Sequence, residues 1–388
     1  VGQIGVVSGR DAFSRSSIWS IQRKQKAAFF AGPPDPVVAE RDASAFLRKR
    51  YFYQSYGGEG YMKQKVVAYS RVRKPARELL SEKFDLRHYP YGTDVTDENF
   101  KKDLQEAVGY IGLEKTVDDE FLKHAPNVKV VSNVSVGYDN FDIEAITKHG
   151  VMATNTPGIL DDTVADAIFG LVLATARRIP ELDRYVKEGD WTEALPDERF
   201  GVDVHHKTLG VIGAGRIGQA IAKRGRFGFD MDILYHNRSQ KPDFEEKMDA
   251  VYCAELDELL EKSDYVCLMT PATPETQNLM STEQFKKMKD TAIFINGSRG
   301  ATVDEDALVE ALTNGDILAA GLDVFKEEPV SADHPLLRLE NVVTTPHIGS
   351  STGETEDNMS ILAAENLIAA VEGKRPPNLI NEEVWKKN

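Results

Sequence analysis

Cysteine is scarce in this chain: Cys253 and Cys267 are the only two among 388 residues. Two thiols in apolar segments cannot build a disulfide framework, and their spacing fits no zinc site. A reducing cytoplasm and no bound metal are therefore expected. Long hydrophobic runs are also missing, since no segment offers the roughly 18 apolar residues that a membrane span requires. Nothing repeats at a fixed period, which excludes solenoids and propellers. Positive charge is in the minority, with 47 Lys and Arg against 62 Asp and Glu for a formal net charge of −15. A surface of that sign repels phosphate backbones, so neither nucleic acid nor a membrane is expected as a partner. A local Lys or Arg pocket can still hold one small anion. What remains is ordinary for a globular protein, 41% apolar and 28% charged, and long enough for two domains.

The first 61 residues stand apart. They carry nine basic and five acidic residues, a net charge of +4 in an otherwise acidic chain, and Gly32-Pro-Pro-Asp-Pro36 breaks their middle. No apolar core precedes a small-residue cleavage site, so a secretory signal is not expected. Met62 is the expected start of the native protein, with residues 1–61 as a leader outside the fold. Gly57-Gly-Glu-Gly60 can be encoded by a purine-rich stretch like a ribosome-binding site.

From Met62 the pattern alternates. Lys65–Tyr69, Phe84–His88, Val108–Gly112 and Val128–Ser132 read as strands, with helices over 75–82 and 118–124, and Val151–Thr154 then leads to Asn155-Thr-Pro-Gly158. A long apolar helix over 163–178 suits a link between domains. Six more strands follow, near Leu209–Ile212, Met231–Tyr235, Tyr265–Met269, Ala292–Ile295, Ala319–Asp323 and Val342–Thr345, with intervening helices. A last helix over 353–371 is expected to pack back on the first half. The expectation is an α/β protein with two doubly wound parallel-sheet domains. One is a flavodoxin-like substrate domain (62–160 and 347–388), the other a Rossmann-type dinucleotide domain (161–346).

The strand Leu209–Ile212 runs straight into Gly213-x-Gly215-x-x-Gly218 and then a helix, which is the turn that cradles a dinucleotide pyrophosphate. Gly213 permits the tight turn, Gly215 lets the backbone approach the phosphates, and Gly218 lets the helix press on the strand. NAD enzymes usually place an acid at the end of the next strand to bond the ribose hydroxyls. This chain has none there. Arg238 can instead bind a 2′-phosphate, with neutral bonds from Asn237 and Ser239, so NADP(H) is preferred and NAD(H) remains open.

Three polar residues follow later strands by only a few positions: Arg299, Glu328 and His347. Singly, each has a bland explanation, because a lone His after a strand is more often structural than catalytic. Together, on one sheet edge beside a dinucleotide site, they suit reduction of a 2-oxo acid. A histidine can give a proton near neutral pH, a carboxylate can hold its ring in one orientation, and an arginine fork can bind the substrate carboxylate.

Taken with Thr156-Pro-Gly158, Asn296-Gly-Ser-Arg-Gly300, Asp323–Pro329 and Pro346-His-Ile-Gly-Ser350, these motifs resemble the D-2-hydroxyacid dehydrogenase family from Met62 to about Asn378. Residues 200–210 and 235–239 are similar to its glyoxylate/hydroxypyruvate reductase and 2-ketogluconate reductase branch. The resemblance implies Arg299, Glu328 and His347 as the catalytic set, with His347 the proton donor. It further implies cofactor contacts at Arg216, Ile217, Thr270, Pro271, Thr276, Gly297, Ser298, Asp323 and Gly349, with Asp323 on the nicotinamide carboxamide. Ser135, Val136 and Gly137 would grip the substrate carboxylate by their N–H groups, with Ser350 nearby. His205 and His206 resemble a branch signature, and the helix from Thr163 with the arm 178–200 is where such proteins form homodimers. Two rivals remain: an NAD-dependent relative such as a phosphoglycerate or formate dehydrogenase, and a non-catalytic dinucleotide sensor.

Overall fold

The computed structural model of the protein describes residues 63–94 and 96–387, so the leader reading lies outside the described residues. Two wholly parallel sheets organise the chain. The first is built from β1 (Lys65–Tyr69), β2 (Asp85–Tyr89), β3 (Ala107–Gly112), β4 (Val130–Asn133) and β5 (Met152–Thr154), in the order β2-β1-β3-β4-β5. That is the flavodoxin-like order.

The second sheet holds β6 (Thr208–Ile212), β7 (Asp232–His236), β8 (Ala250–Tyr252), β9 (Tyr265–Leu268), β10 (Ile293–Asn296), β11 (Ala319–Leu322) and β12 (Val342–Thr344). Its order is β12-β11-β10-β9-β6-β7-β8, the Rossmann arrangement with one strand added at the far edge. Where the sequence suggests six strands there are seven, because β8 is a three-residue edge strand too short to show a period. Apolar runs such as Val66–Tyr69 and Leu209–Ile212 form these strands because a parallel sheet covered on both faces buries every side chain.

Register carries the chemistry to one line. Ile212 pairs with His236 and with Leu268, Asn296 with Leu268 and Leu322, and Leu322 with Thr344. The segments leaving these strands, at Gly213, Asn237, Met269, Gly297, Asp323 and Thr345, therefore emerge side by side along one edge. The strand order reverses between β6 and β9, where a crevice opens in such sheets.

The apolar helix between the sheets runs Asp161–Ala176, ending two residues earlier than the sequence suggests. Arg178, at φ 54°, turns the chain into a separate helix, Ile179–Glu188, within the arm that the sequence leaves unstructured. Val164, Ile168, Phe169, Leu171 and Val172 are buried, as expected for a helix apolar on most sides. Phe169 packs on Phe229 with ring centroids 4.9 Å apart. The last helix, Gly353–Val371, lies on the first sheet: Ser132 Oγ donates to Ala363 O at 2.8 Å, and Leu367 covers Gly109. No helix among the described residues is long and apolar enough to cross a membrane.

Candidate active site

The glycine turn is tightly determined at both ends and open in the middle. Gly213 has φ +95°, and a Cβ there would come within 2.8 Å of the Met269 carbonyl carbon. A Cβ at Gly218 would lie 2.4 Å from Gly213 O and 3.0 Å from Val211 Cγ1, so only glycine lets helix Arg216–Phe229 sit this close to β6. At Gly215 a Cβ would meet nothing within 4 Å. The protein itself does not require that glycine. The open space leaves room for a ligand to approach the backbone closely.

Other helices here are capped by acid side chains, Asp97, Asp118, Asp142 and Asp304 among them. The helix at Gly215 has no side-chain cap, which leaves its first N–H groups to an anion. Beside the turn, Thr270 Oγ1 is buried without a hydrogen-bond partner. An open glycine, an uncapped helix and an orphaned hydroxyl together fit a dinucleotide.

The strand-end residues divide. Asn237 Oδ1 accepts from Ala214 N at 2.9 Å, which braces the turn. Arg238 and Ser239 are exposed. Across the opening lies the loop after β9, folded by Thr276, whose Oγ1 donates to Pro271 O at 2.6 Å and accepts from Thr273 N at 2.8 Å. Glu275 in that loop has its carboxyl held below the usual range by hydrogen bonds from Thr273 and its own N–H, with a smaller contribution from the charge of Arg238. Arg216 is tied to Asp161, Nε to Oδ2, at 3.1 Å.

At the other end of the same edge the three polar residues come together. His347 Nδ1 lies 2.7 Å from Glu328 Oε2, and Glu328 Oε1 accepts from Phe325 N at 2.9 Å. Burial raises the Glu328 pKa, but bonds from His347 and Phe325 and the charge of Arg299 outweigh it and hold the carboxyl below its ordinary value. His347 itself has φ +53°, a conformation rare outside glycine, and it persists only when its surroundings over-determine it. Asp323 supplies that constraint. Its backbone O accepts from His347 N at 2.9 Å, while its buried carboxylate accepts from Thr345 Oγ1 (2.6 Å), Ile348 N (2.8 Å) and Gly349 N (3.0 Å).

Ser298 is buried and bonded to Asn296, and Gly297 packs under Ile168, so both shape the loop that presents Arg299. Ser350 follows the histidine loop and donates to Glu356 at 3.3 Å.

Facing these groups is the loop 135–140 of the first sheet. Its carbonyls at Ser135, Val136 and Gly137 accept from Thr156 N (3.0 Å), Asn155 Nδ2 (2.8 Å) and Asn133 Nδ2 (2.7 Å). The N–H groups of those three residues find no acceptor among the described residues. Carbonyls turned inward and N–H groups unmatched make a concavity suited to an anion. Arg299 crosses to this loop, donating from Nε to Asp139 Oδ2 at 2.8 Å. Sequence reasoning missed Asp139 and Asn133. Asp139 is 160 positions from its partner, a separation that leaves no local signal. His205 and His206 precede β6, at the opposite end of that strand from the turn.

Comparison with known proteins agrees with this geometry. Residues 169–349 match the family model described as D-isomer specific 2-hydroxyacid dehydrogenase, NAD binding domain. Glyoxylate/hydroxypyruvate reductase B of Escherichia fergusonii is 46% identical over 325 residues, 84% of this chain and 100% of that protein. The NADPH-dependent glyoxylate/hydroxypyruvate reductase of Sinorhizobium meliloti, solved with NADP and malonate, superposes with a TM-score of 0.74. It is 30% identical, covering 82% of this chain and 97% of that one. A Thermus thermophilus protein gives a TM-score of 0.75 at 40% identity, covering 81% of this chain and 99% of its own. The chain belongs to the D-isomer specific 2-hydroxyacid dehydrogenase family and is an NAD(P)-dependent dehydrogenase.

Proposed function

We propose that this dehydrogenase reduces small 2-oxo acids, glyoxylate and hydroxypyruvate first and 2-ketogluconate as a longer relative, to D-2-hydroxy acids with NADPH. The observation that carries the reading is the pairing of His347 with Glu328 at 2.7 Å on the edge that also bears Arg299. The relatives named above, two of them glyoxylate/hydroxypyruvate reductases, support the substrate class.

A nicotinamide held there would supply the hydride. The protein does the rest. The N–H groups of Ser135, Val136 and Gly137 and the guanidinium of Arg299 bind the substrate carboxylate and polarise the carbonyl beside it. Glu328 holds His347 through Nδ1, which leaves the proton on Nε2 for the carbonyl oxygen. Passing that proton to the carbonyl oxygen leaves the His347 imidazole neutral. Gly213, Gly215 and Gly218 with Arg216, Ile217 and Thr270 would hold the pyrophosphate, Asp323 the carboxamide, and Arg238 with Ser239 the 2′-phosphate. The loops carrying Pro271, Thr276, Gly297, Ser298 and Gly349 line the groove, with Ser350 near the substrate.

A reducing cytoplasm suits two buried thiols. A second copy of the chain is the partner this reading implies, docked on the arm after Arg178. There Ile179, Val186, Trp191 and Phe200 are each more than half exposed. The substrate reading is tested by a panel of glyoxylate, hydroxypyruvate, 2-ketogluconate and pyruvate with NADPH, ranked by kcat/KM. Glyoxylate or hydroxypyruvate should lead and pyruvate trail; no reduction of any of them would overturn it.

A further inference from the structure

An arginine that anchors a carboxylate must present a chosen edge of its guanidinium, and an unconstrained side chain with four rotatable bonds does not. Two groups restrain Arg299. Nη1 donates to Ser298 O at 2.8 Å, within its own loop. Nε donates to Asp139 Oδ2 at 2.8 Å, across the cleft. With these engaged, the remaining N–H groups lie on the Nη edge. That edge sits over Gly137: a Cβ built there would lie 1.8 Å from Arg299 Nη2. The fork is thus held against the loop whose three N–H groups are unmatched.

We propose that Asp139 is a positioning residue for Arg299, fixing its Nε edge from the opposite side of the cleft so that its Nη edge and the 135–137 N–H groups form one carboxylate site. The proposal rests on the reading of Arg299 as the substrate anchor. It goes further by making the site depend on a residue that touches neither substrate nor cofactor.

Three features separate this role from a stabilising ion pair. The pair is substantially exposed, with side-chain accessibilities of 35% for Arg299 and 48% for Asp139, so it contributes little to folding. Asp139 also sits in a loop already fixed by other bonds: Asn133 to Gly137 O, and Asn140 Nδ2 to Lys115 O at 3.0 Å. Finally, Gly137 is the residue the guanidinium approaches, and any side chain there would collide with it.

Asp139→Ala, Asp139→Asn, Arg299→Ala and the Asp139→Ala/Arg299→Ala double variant are compared by glyoxylate kinetics. Calorimetric binding of oxamate, a non-reducible mimic of the 2-oxo carboxylate, to the NADPH complex gives a second readout. Asp139→Ala should raise KM and the oxamate Kd about ten- to a hundredfold, the loss of one well-placed charged hydrogen bond, with NADPH affinity and thermal midpoint nearly unchanged. Asp139→Asn keeps an oxygen acceptor for Nε and should recover most of the loss. In the double variant, Asp139→Ala should add nothing to Arg299→Ala. If Arg299→Ala weakens oxamate binding and Asp139→Ala does not, the positioning role is overturned and the anchor stands. If Arg299→Ala leaves oxamate binding unchanged, the anchor reading itself fails.

Discussion

The two sheets share one architecture and contribute different chemistry. Both are parallel and doubly wound, and the loops that follow β4 and β10 meet where Arg299 donates to Asp139. The seven-stranded sheet delivers charged side chains, Arg299, Glu328 and His347, on short loops that hydrogen bonds over-determine. The five-stranded sheet delivers backbone, three N–H groups at 135–137 whose carbonyls are pinned by side-chain amides and a neighbouring N–H. The difference teaches that a common layout leaves function to the loops, and that one sheet can contribute side chains where the other contributes backbone.

The sharpest way to break that division is at the proton. His347→Gln should lower kcat by several orders of magnitude while NADPH binding stays nearly intact; activity close to the parent would place the proton elsewhere. Glu328→Gln keeps the shape but removes the charge that orients the ring, and should cost about a hundredfold in kcat, read by steady-state kinetics. On the cofactor side, Arg238→Ala should weaken NADPH about ten- to a hundredfold and leave NADH little changed, measured by fluorescence titration. The mildest test falls on the backbone half. Asn133→Ala leaves Gly137 O without its donor and should cost about 1–3 kcal/mol in denaturant unfolding, with a raised KM for glyoxylate.

Most of the fold is legible in the sequence because apolar runs such as Val66–Tyr69 and Leu209–Ile212 are buried strands, and Gly213, Gly215 and Gly218 locate the first strand of the second sheet. What is not legible is short or distant. The strand Ala250–Tyr252 and the helix Ile143–Lys148 span too few residues to show a period, and helix Ile179–Glu188 buries none of its side chains. At the site, the sequence shows the residue types and their places after strands. It cannot show that Asn237 is bonded to the glycine turn, that Thr276 folds its own loop, or that Asp139 reaches Arg299, since those bonds depend on how loops meet in space.

Acid should weaken the pair in a defined direction. Glu328 has a lowered folded-state pKa, so its contribution is present above the unfolded carboxylate value and is lost as pH falls through the folded one. The most direct test of the account is therefore the pH dependence of kcat/KM measured in both directions. Reduction of glyoxylate consumes a proton and should fall as pH rises, and it should fall again in acid as Glu328 is protonated. Oxidation of the D-2-hydroxy acid releases a proton and should instead rise with pH. Profiles that are flat or parallel in the two directions would contradict a proton held between Glu328 and His347.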